Sequence, residues 1–281
     1  MKKKMKLNTF ELLRFIIQLV FFFCLPALFS AAFNGIKYIA NQIHSQAIIT
    51  WNPFLATLII LLGFTIVFGR FFCGFACAFG SLGDWIFAGS SFLQKKFRKK
   101  VVKLPEKMIR TFNYGKYITL FTIIVLCFTG TYSKVSHADP WELFASLISG
   151  NFSISGRHYA IAVLLIIVAG MCLVERFFCQ FLCPMGAVFA LMQSLPFFTF
   201  SRKKEDCIPG CTLCSKICPA SISLGEENSR YQDCFQCGKC SVKCPKKNLR
   251  LGIRRLRGTE IWLILLKAVI LFTICYPLMN S

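Results

Sequence analysis

The chain has 281 residues, of which 56% are hydrophobic, 31 are Phe and only 16% are charged; Lys and Arg outnumber Asp and Glu by 33 to 12. So few charges cannot coat a soluble globule of this length, which excludes a soluble enzyme, and the apolar content excludes disorder. With 16 Cys, the composition points to a membrane protein that carries metal.

In chain order, five apolar stretches are predicted to cross a bilayer: Leu12–Phe33, Phe54–Phe68, Tyr117–Tyr132, Tyr159–Val174 and Ile261–Leu278. A spanning helix needs about 20 residues for about 30 Å of hydrocarbon. The second and fourth stretches approach that length only by running on through one Arg, into Phe71–Gly80 and Phe177–Phe200. Arg70 and Arg176 would then snorkel to the headgroups. The expected fold class is an all-α integral membrane protein of about five transmembrane helices in two pseudo-repeated halves, with a small α+β dicluster ferredoxin-like insert. The segments are 1–53, a first helix and outer loop; 54–116, the second helix, a cysteine motif and a basic loop; 117–200, helices three and four with a second motif; 201–252, the insert; and 253–281, the last helix.

Charge sets the orientation. The N-terminal segment through Arg14 holds five Lys and Arg, the 70–116 segment ten and the 176–257 segment fourteen, whereas the two intervening loops hold only Lys37, Lys134 and Arg157. The N-terminus and the insert are therefore expected in the cytosol of a cytoplasmic (inner) membrane protein, with the C-terminus outside. The same distribution accounts for the net charge of +21, and no motif for nucleic acid accompanies it.

The composition changes at Ser201. Eight cysteines follow in two runs, Cys207-x3-Cys211-x2-Cys214-x3-Cys218-Pro219 and Cys234-x2-Cys237-x2-Cys240-x3-Cys244-Pro245. The second has the bacterial ferredoxin spacing, in which the fourth Cys ligates the other [4Fe–4S] cluster. That crossover gives two ligand sets: Cys207, Cys211, Cys214 and Cys244 for one cluster, and Cys218, Cys234, Cys237 and Cys240 for the other. Zinc sites favour paired C-x2-C units and do not explain two such runs, and a reducing cytosol argues against disulfides.

An internal repeat stands at the end of each half. Gly69–Gly80 reads GRFFCGFACAFG and Glu175–Gly186 reads ERFFCQFLCPMG, sharing R-F-F-C-x-F-x-C-x-x-G. Four-residue spacing on a helix puts Cys73 and Cys77 on one face, and Cys179 and Cys183 likewise. Pairing of the halves could gather all four into a membrane-edge site for a further iron–sulfur or other metal group; the alternative is that they are small apolar packing residues. In the outer loop, Asp139-Pro140-Trp141-Glu142 reads as an interfacial Trp anchor, with contact to a quinone headgroup or partner as the second reading.

The doubled R-F-F-C-x-F-x-C, followed by two ferredoxin runs, resembles the NapH/NosR-type membrane polyferredoxins, a family that also includes a CcoG-type oxidase assembly factor. Ala78 stands where the family's first motif has Pro. The resemblance covers Phe54 to about Gly252 and implies an electron-transfer subunit of an oxidoreductase, quinol-dehydrogenase-like, rather than a stand-alone enzyme. The function expected is electron transfer between a soluble ferredoxin- or flavodoxin-like carrier in the cytosol and quinone, or a flavin or haem partner in or across the membrane. The alternative is an assembly factor that reduces a metal or a thiol while a respiratory enzyme matures.

Overall fold

The computed structural model describes residues 9–97, 106–136, 139–148, 150, 156–192, 200–202, 206–222, 233–251 and 259–280. Helices α1 (Thr9–Cys24) and α2 (Leu28–His44) are separated by Leu25, Pro26 and Ala27 and meet at 58°. Pro26 has no N–H for the helical ladder and its ring crowds the preceding turn, so the long apolar run from Leu12 to Phe33 cannot stay straight. Helix α3 (Pro53–Phe68) starts on an Asn52 cap, whose Oδ1 accepts the Leu55 N–H at 2.8 Å, and stops at Gly69 with φ +69°. A π-helical turn, Phe72–Ala76, leads into α4 (Ala78–Lys96).

The remaining elements are α5 (Glu106–Phe112), α6 (Gly115–Phe128), α7 (Tyr132–Val135), α8 (Pro140–Ile148), α9 (His158–Leu173), α10 (Phe177–Phe181) and α11 (Pro184–Leu191). They are followed by β1 (Phe200–Arg202), α12 (Leu213–Ile217), α13 (Lys239–Lys243), β2 (Leu249–Leu251) and α14 (Ile261–Asn280). Helix α2 packs on α3 and α6, α4 packs on α9, and α14 lies against α1 and α3. Phe33, Phe72, Phe79, Phe178 and Phe189 form the centre of the core, each at 1% exposure or less.

This architecture overturns the expected fold class. Among the described residues, only α14 is by itself long and apolar enough to cross a bilayer, and the bent α1–α2 pair passes the same test as a second. Helices α3, α6 and α9 are apolar but have 16, 14 and 16 residues, about 21–24 Å at 1.5 Å per residue. They do not run on through the arginines. Gly69 breaks the first path with its positive φ, and Arg176 itself takes a left-handed conformation, φ +57°, in the second. Neither Arg snorkels: Arg70 is 4% exposed and Arg176 is 0%.

The α+β insert is also corrected. Between 201 and 252 the described elements are two five-residue helices, α12 and α13, packed on each other, and one antiparallel ladder in which Phe200 faces Leu251. Two three-residue strands close the neck of the insert; a sheet that stands alone needs more strands and an apolar face. Trp141 is not an interfacial anchor either. It is 6% exposed and meets Phe33 edge to face, with ring centroids 5.3 Å apart.

Candidate functional site

The two R-F-F-C copies face each other at the centre of the molecule. Cys73 lies in the π turn and Cys77 is the N-cap of α4; Cys179 lies in α10 and Cys183 is the N-cap of α11. The two thiols of a pair therefore do not share one α-helix as the spacing suggests, because the chain turns between them. Cys77 and Cys183 have nearly the same extended backbone, φ −70° and ψ 122° against φ −71° and ψ 111°. Pro184 opens α11, where its missing N–H costs nothing. The Gly186 N–H donates to Cys183 Sγ at 3.1 Å, and Gly80 N–H serves Cys77 in the equivalent way.

All four thiols are buried and close enough to interact electrostatically: Cys183 feels Cys179, Cys73 and Cys77, and Cys77 feels Cys179 and Cys73. Burial pushes the Cys179 thiol up to about 12, and those of Cys77 and Cys183 well above the ordinary range. Arg176 beside Cys77 and Cys179, and Arg70 beside Cys179, oppose that rise without overcoming it, so a metal would have to displace protons from these thiols.

The insert is seated on this centre. Phe235, between Cys234 and Gln236, is 3% exposed, and the guanidinium carbons of Arg70 and Arg176 each lie 5.0 Å from its ring centroid. A Cβ at Gly74 would overlap the Phe235 carbonyl oxygen, and one at Gly69 would overlap the Gln236 side chain. Those glycines let the second ferredoxin run approach the first repeat. The Gln180 amide donates to the Pro219 carbonyl, next to Cys218, and Lys239 pairs with Glu175.

Within the insert, Cys218, Cys234, Cys237 and Cys240 are mutual electrostatic neighbours. Cys207 and Cys244 share Asn248, whose Nδ2 donates to Cys207 Sγ and whose backbone N–H donates to Cys244 Sγ, each at 3.5 Å. Cys211 lies two residues before α12 and Cys214 within it. Among the described residues, no three Cys, His, Asp or Glu side chains stand close enough to ligate a single ion. A cubane cluster needs a wider arrangement, with each thiolate bonded to a different iron.

A family model described as a 4Fe-4S binding domain matches residues 51–100 and 157–205. Those segments contain Cys73, Cys77, Cys179 and Cys183 and end before the eight later cysteines. The uncharacterized protein MJ0750 of Methanocaldococcus jannaschii is 27% identical over 250 residues, 86% of this chain and 96% of that one. NirI of Paracoccus denitrificans is 29% identical over 201 residues, 68% of this chain but 28% of NirI. The ferredoxin-type protein NapH of Haemophilus influenzae is 23% identical over 207 residues, 70% of this chain and 67% of NapH. The family model and these relatives support a place for the chain among the NapH/NosR-type polyferredoxins. No solved structure matches it.

The same comparisons support an iron–sulfur electron-transfer protein that binds [4Fe–4S] clusters. Sequence reasoning found these cysteines but missed what surrounds them. Arg14 and Gln18 of α1 and Arg176 all donate to the Gly74 carbonyl, at 3.3, 3.5 and 3.1 Å, and Arg176 also reaches the Cys73 carbonyl at 2.5 Å. Asp84 and Asp233, the carboxylates that hold the two repeat arginines, were equally unmarked. An acidic residue one helix beyond the first motif, and another directly before Cys234, were the available signals.

Proposed function

We propose that this chain is a membrane-bound electron conduit in which three thiolate sets hold iron–sulfur groups. Cys207, Cys211, Cys214 and Cys244 would hold one [4Fe–4S] cluster, Cys218, Cys234, Cys237 and Cys240 a second, and Cys73, Cys77, Cys179 and Cys183 a further group at the membrane edge. Bound clusters would supply one-electron storage without proton transfer. The chain's own residues bury Cys73, Cys77, Cys179, Cys183 and Cys237 and direct N–H groups at the sulfurs of Cys77, Cys183 and Cys234.

One observation carries this reading: Cys218 is near enough to interact electrostatically with Cys234, Cys237 and Cys240, as the ferredoxin crossover requires. An open cavity of about 680 Å³ beside Cys207, lined by Lys246 and Lys247, suits an acidic ferredoxin- or flavodoxin-like carrier. Side chains such as Ile118 and Phe121 on α6 and Leu165 and Ile166 on α9, 63–69% exposed, are apolar surface that lipid or a membrane partner would cover. The excess of Lys and Arg puts the insert on the cytosolic side. Quinone, or a flavin or haem protein across the membrane, is the partner at the far end.

The test is iron and acid-labile sulfide analysis of full-length protein purified without oxygen. The expected content is about twelve iron atoms per chain for three cubane groups, falling by about four in Cys179→Ser. Zinc in place of iron would overturn the reading. An unchanged iron content in Cys179→Ser would return the repeat thiols to packing. A tag inserted at position 225 is expected to be reachable only from the cytosolic side.

A further inference from the structure

The insert and the two repeat copies meet through the immediate chain neighbours of their cysteines. Gly74 follows Cys73 and lies against Phe235, which follows Cys234; a Cβ at Gly74 would overlap the Phe235 carbonyl oxygen and come within 3.6 Å of the Cys237 nitrogen. Gln180 follows Cys179, and its amide donates to the carbonyl of Pro219, which follows Cys218. Each repeat copy therefore presents the residue after its first cysteine to the residue after a cysteine of the Cys218, Cys234, Cys237 and Cys240 set. Phe235 and Gln180 are each 3% exposed, so both contacts are closed to water.

Arginine side chains fasten the same junction. The guanidinium carbons of Arg70 and Arg176 each lie 5.0 Å from the centroid of the Phe235 ring, a contact that burial strengthens. Arg176 also donates to the carbonyls of Cys73 and Gly74, at 2.5 and 3.1 Å, so the second copy, the first copy and the insert are joined at one ring. Away from this junction, Cys207 of the other set lines an open cavity of about 680 Å³ with Lys246 and Lys247. The crossover puts Cys214 and Cys218, and likewise Cys240 and Cys244, in adjoining sets four residues apart. The three thiol sets thus follow one order: outer set, inner set, repeat thiols.

We propose that Phe235 and Gln180 form the junction across which the inner set and the repeat thiols exchange electrons, so that the outer set reaches the repeat thiols only through the inner one. This rests on the cluster assignments made above. One electron crosses at a time, supplied by a ferredoxin-class donor. The inner set is left oxidised by one electron and the repeat site reduced by one; no bond forms or breaks and no proton moves. Neither side chain is itself oxidised or reduced. Both hold the two sets at close approach and keep water out of the gap between them, and are positioning residues.

In the experiment, full-length protein purified without oxygen in detergent is mixed with a reduced two-cluster ferredoxin and frozen at successive times. Electron paramagnetic resonance then follows each site. The signal of the repeat thiols is identified by its loss in Cys179→Ser, and that of the inner set by its loss in Cys237→Ser. In Phe235→Ala, the inner set is expected to be reduced at the wild-type rate and the repeat site at least about tenfold more slowly, because small displacements of reacting partners cost this much. If Phe235→Ala does not load its iron, Gln180→Ala is read in the same way. Normal iron with a wild-type rate at the repeat site would overturn the proposal. So would equal slowing of the inner set, which marks a loosened insert rather than a broken junction. Wild-type protein with no signal sensitive to Cys179→Ser would overturn the site assignment instead.

Discussion

Arg176 holds Asp84 by two parallel hydrogen bonds, Nε to Oδ1 at 2.9 Å and Nη2 to Oδ2 at 2.7 Å, across 92 residues of sequence. The second repeat copy is fastened by this fork to the helix that leaves the first. Asp84 also accepts from Arg14 and from Gln18 Nε2, the latter at 2.9 Å, so one carboxylate joins α1, α4 and the turn before α10.

Asp84→Asn should therefore destabilise the protein by about 3–5 kcal/mol, since two buried guanidiniums lose their counterion. Burial alone would raise the Asp84 carboxyl, but Arg14 and Arg176 outweigh it and hold it below the usual carboxylate range. A depressed pKa in the folded state means that the stabilisation is complete above about pH 4 and is lost as pH falls through the lowered value. Chemical denaturation of wild type and Asp84→Asn should differ by a constant amount from pH 5 to 8 and converge only in stronger acid. A difference below about 1 kcal/mol at pH 7 would mean that the fork contributes little net stability.

Gly74→Ala should loosen the insert. Its Cβ would overlap the Phe235 carbonyl oxygen, and overpacking of this kind costs about 2 kcal/mol, equivalent to about thirtyfold more of the undocked form. Faster tryptic cleavage within 206–251, with the helical content unchanged, is the expected readout. Gly63→Ala is the control: an added Cβ there meets nothing within 4 Å, and its effect should stay within about 1 kcal/mol.

These two cases show what the sequence can and cannot reveal. The doubled R-F-F-C and the two ferredoxin runs are local spacings, and local spacing survives in a one-dimensional reading. Arg70 and Arg176 were seen but placed at the headgroups, because their partners Asp233 and Asp84 lie far away in sequence and no periodicity links them. The break at Pro26 was passed over when Leu12–Phe33 was read as one span, although a Pro inside an apolar run removes a ladder hydrogen bond. The turns between paired cysteines were less legible: four-residue spacing fits a helix equally well, and only Pro184 marked Cys183 as a cap.

Lys37 should prove structural. Its Nζ donates to Glu142 Oε1 at 2.7 Å and Tyr132 Oη at 3.0 Å, and sits 3.5 Å from Asp139 Oδ2, at 7% exposure. Burial pushes the Asp139 carboxyl up despite Tyr132 and Lys37. Lys37→Met leaves the carboxylates without their cation and should cost about 3 kcal/mol at pH 8. A carboxyl whose folded pKa is raised gains stability as pH falls, because the folded state binds the proton more tightly. The deficit of Lys37→Met should therefore shrink at pH 5; a deficit that is the same at both values would show that packing, not charge, is lost.

Asn248 is placed to act on the outer cysteine set. Its side chain and its backbone N–H reach the sulfurs of Cys207 and Cys244, which come from opposite ends of the insert. Hydrogen bonds to ligand sulfurs hold a metal group in place, and removing such a partner typically costs ten- to a hundredfold in affinity. Asn248→Ala keeps the backbone donor to Cys244 and deletes the side-chain donor to Cys207. Iron release to a chelator should accelerate about tenfold for about four iron atoms per chain, while the remainder leaves at the wild-type rate. Asn248→Asp should release the same fraction faster still, because a carboxylate beside Cys207 repels a thiolate. Release at the wild-type rate from both variants would separate Asn248 from cluster retention, whereas acceleration of all the iron would mean that the insert as a whole had loosened.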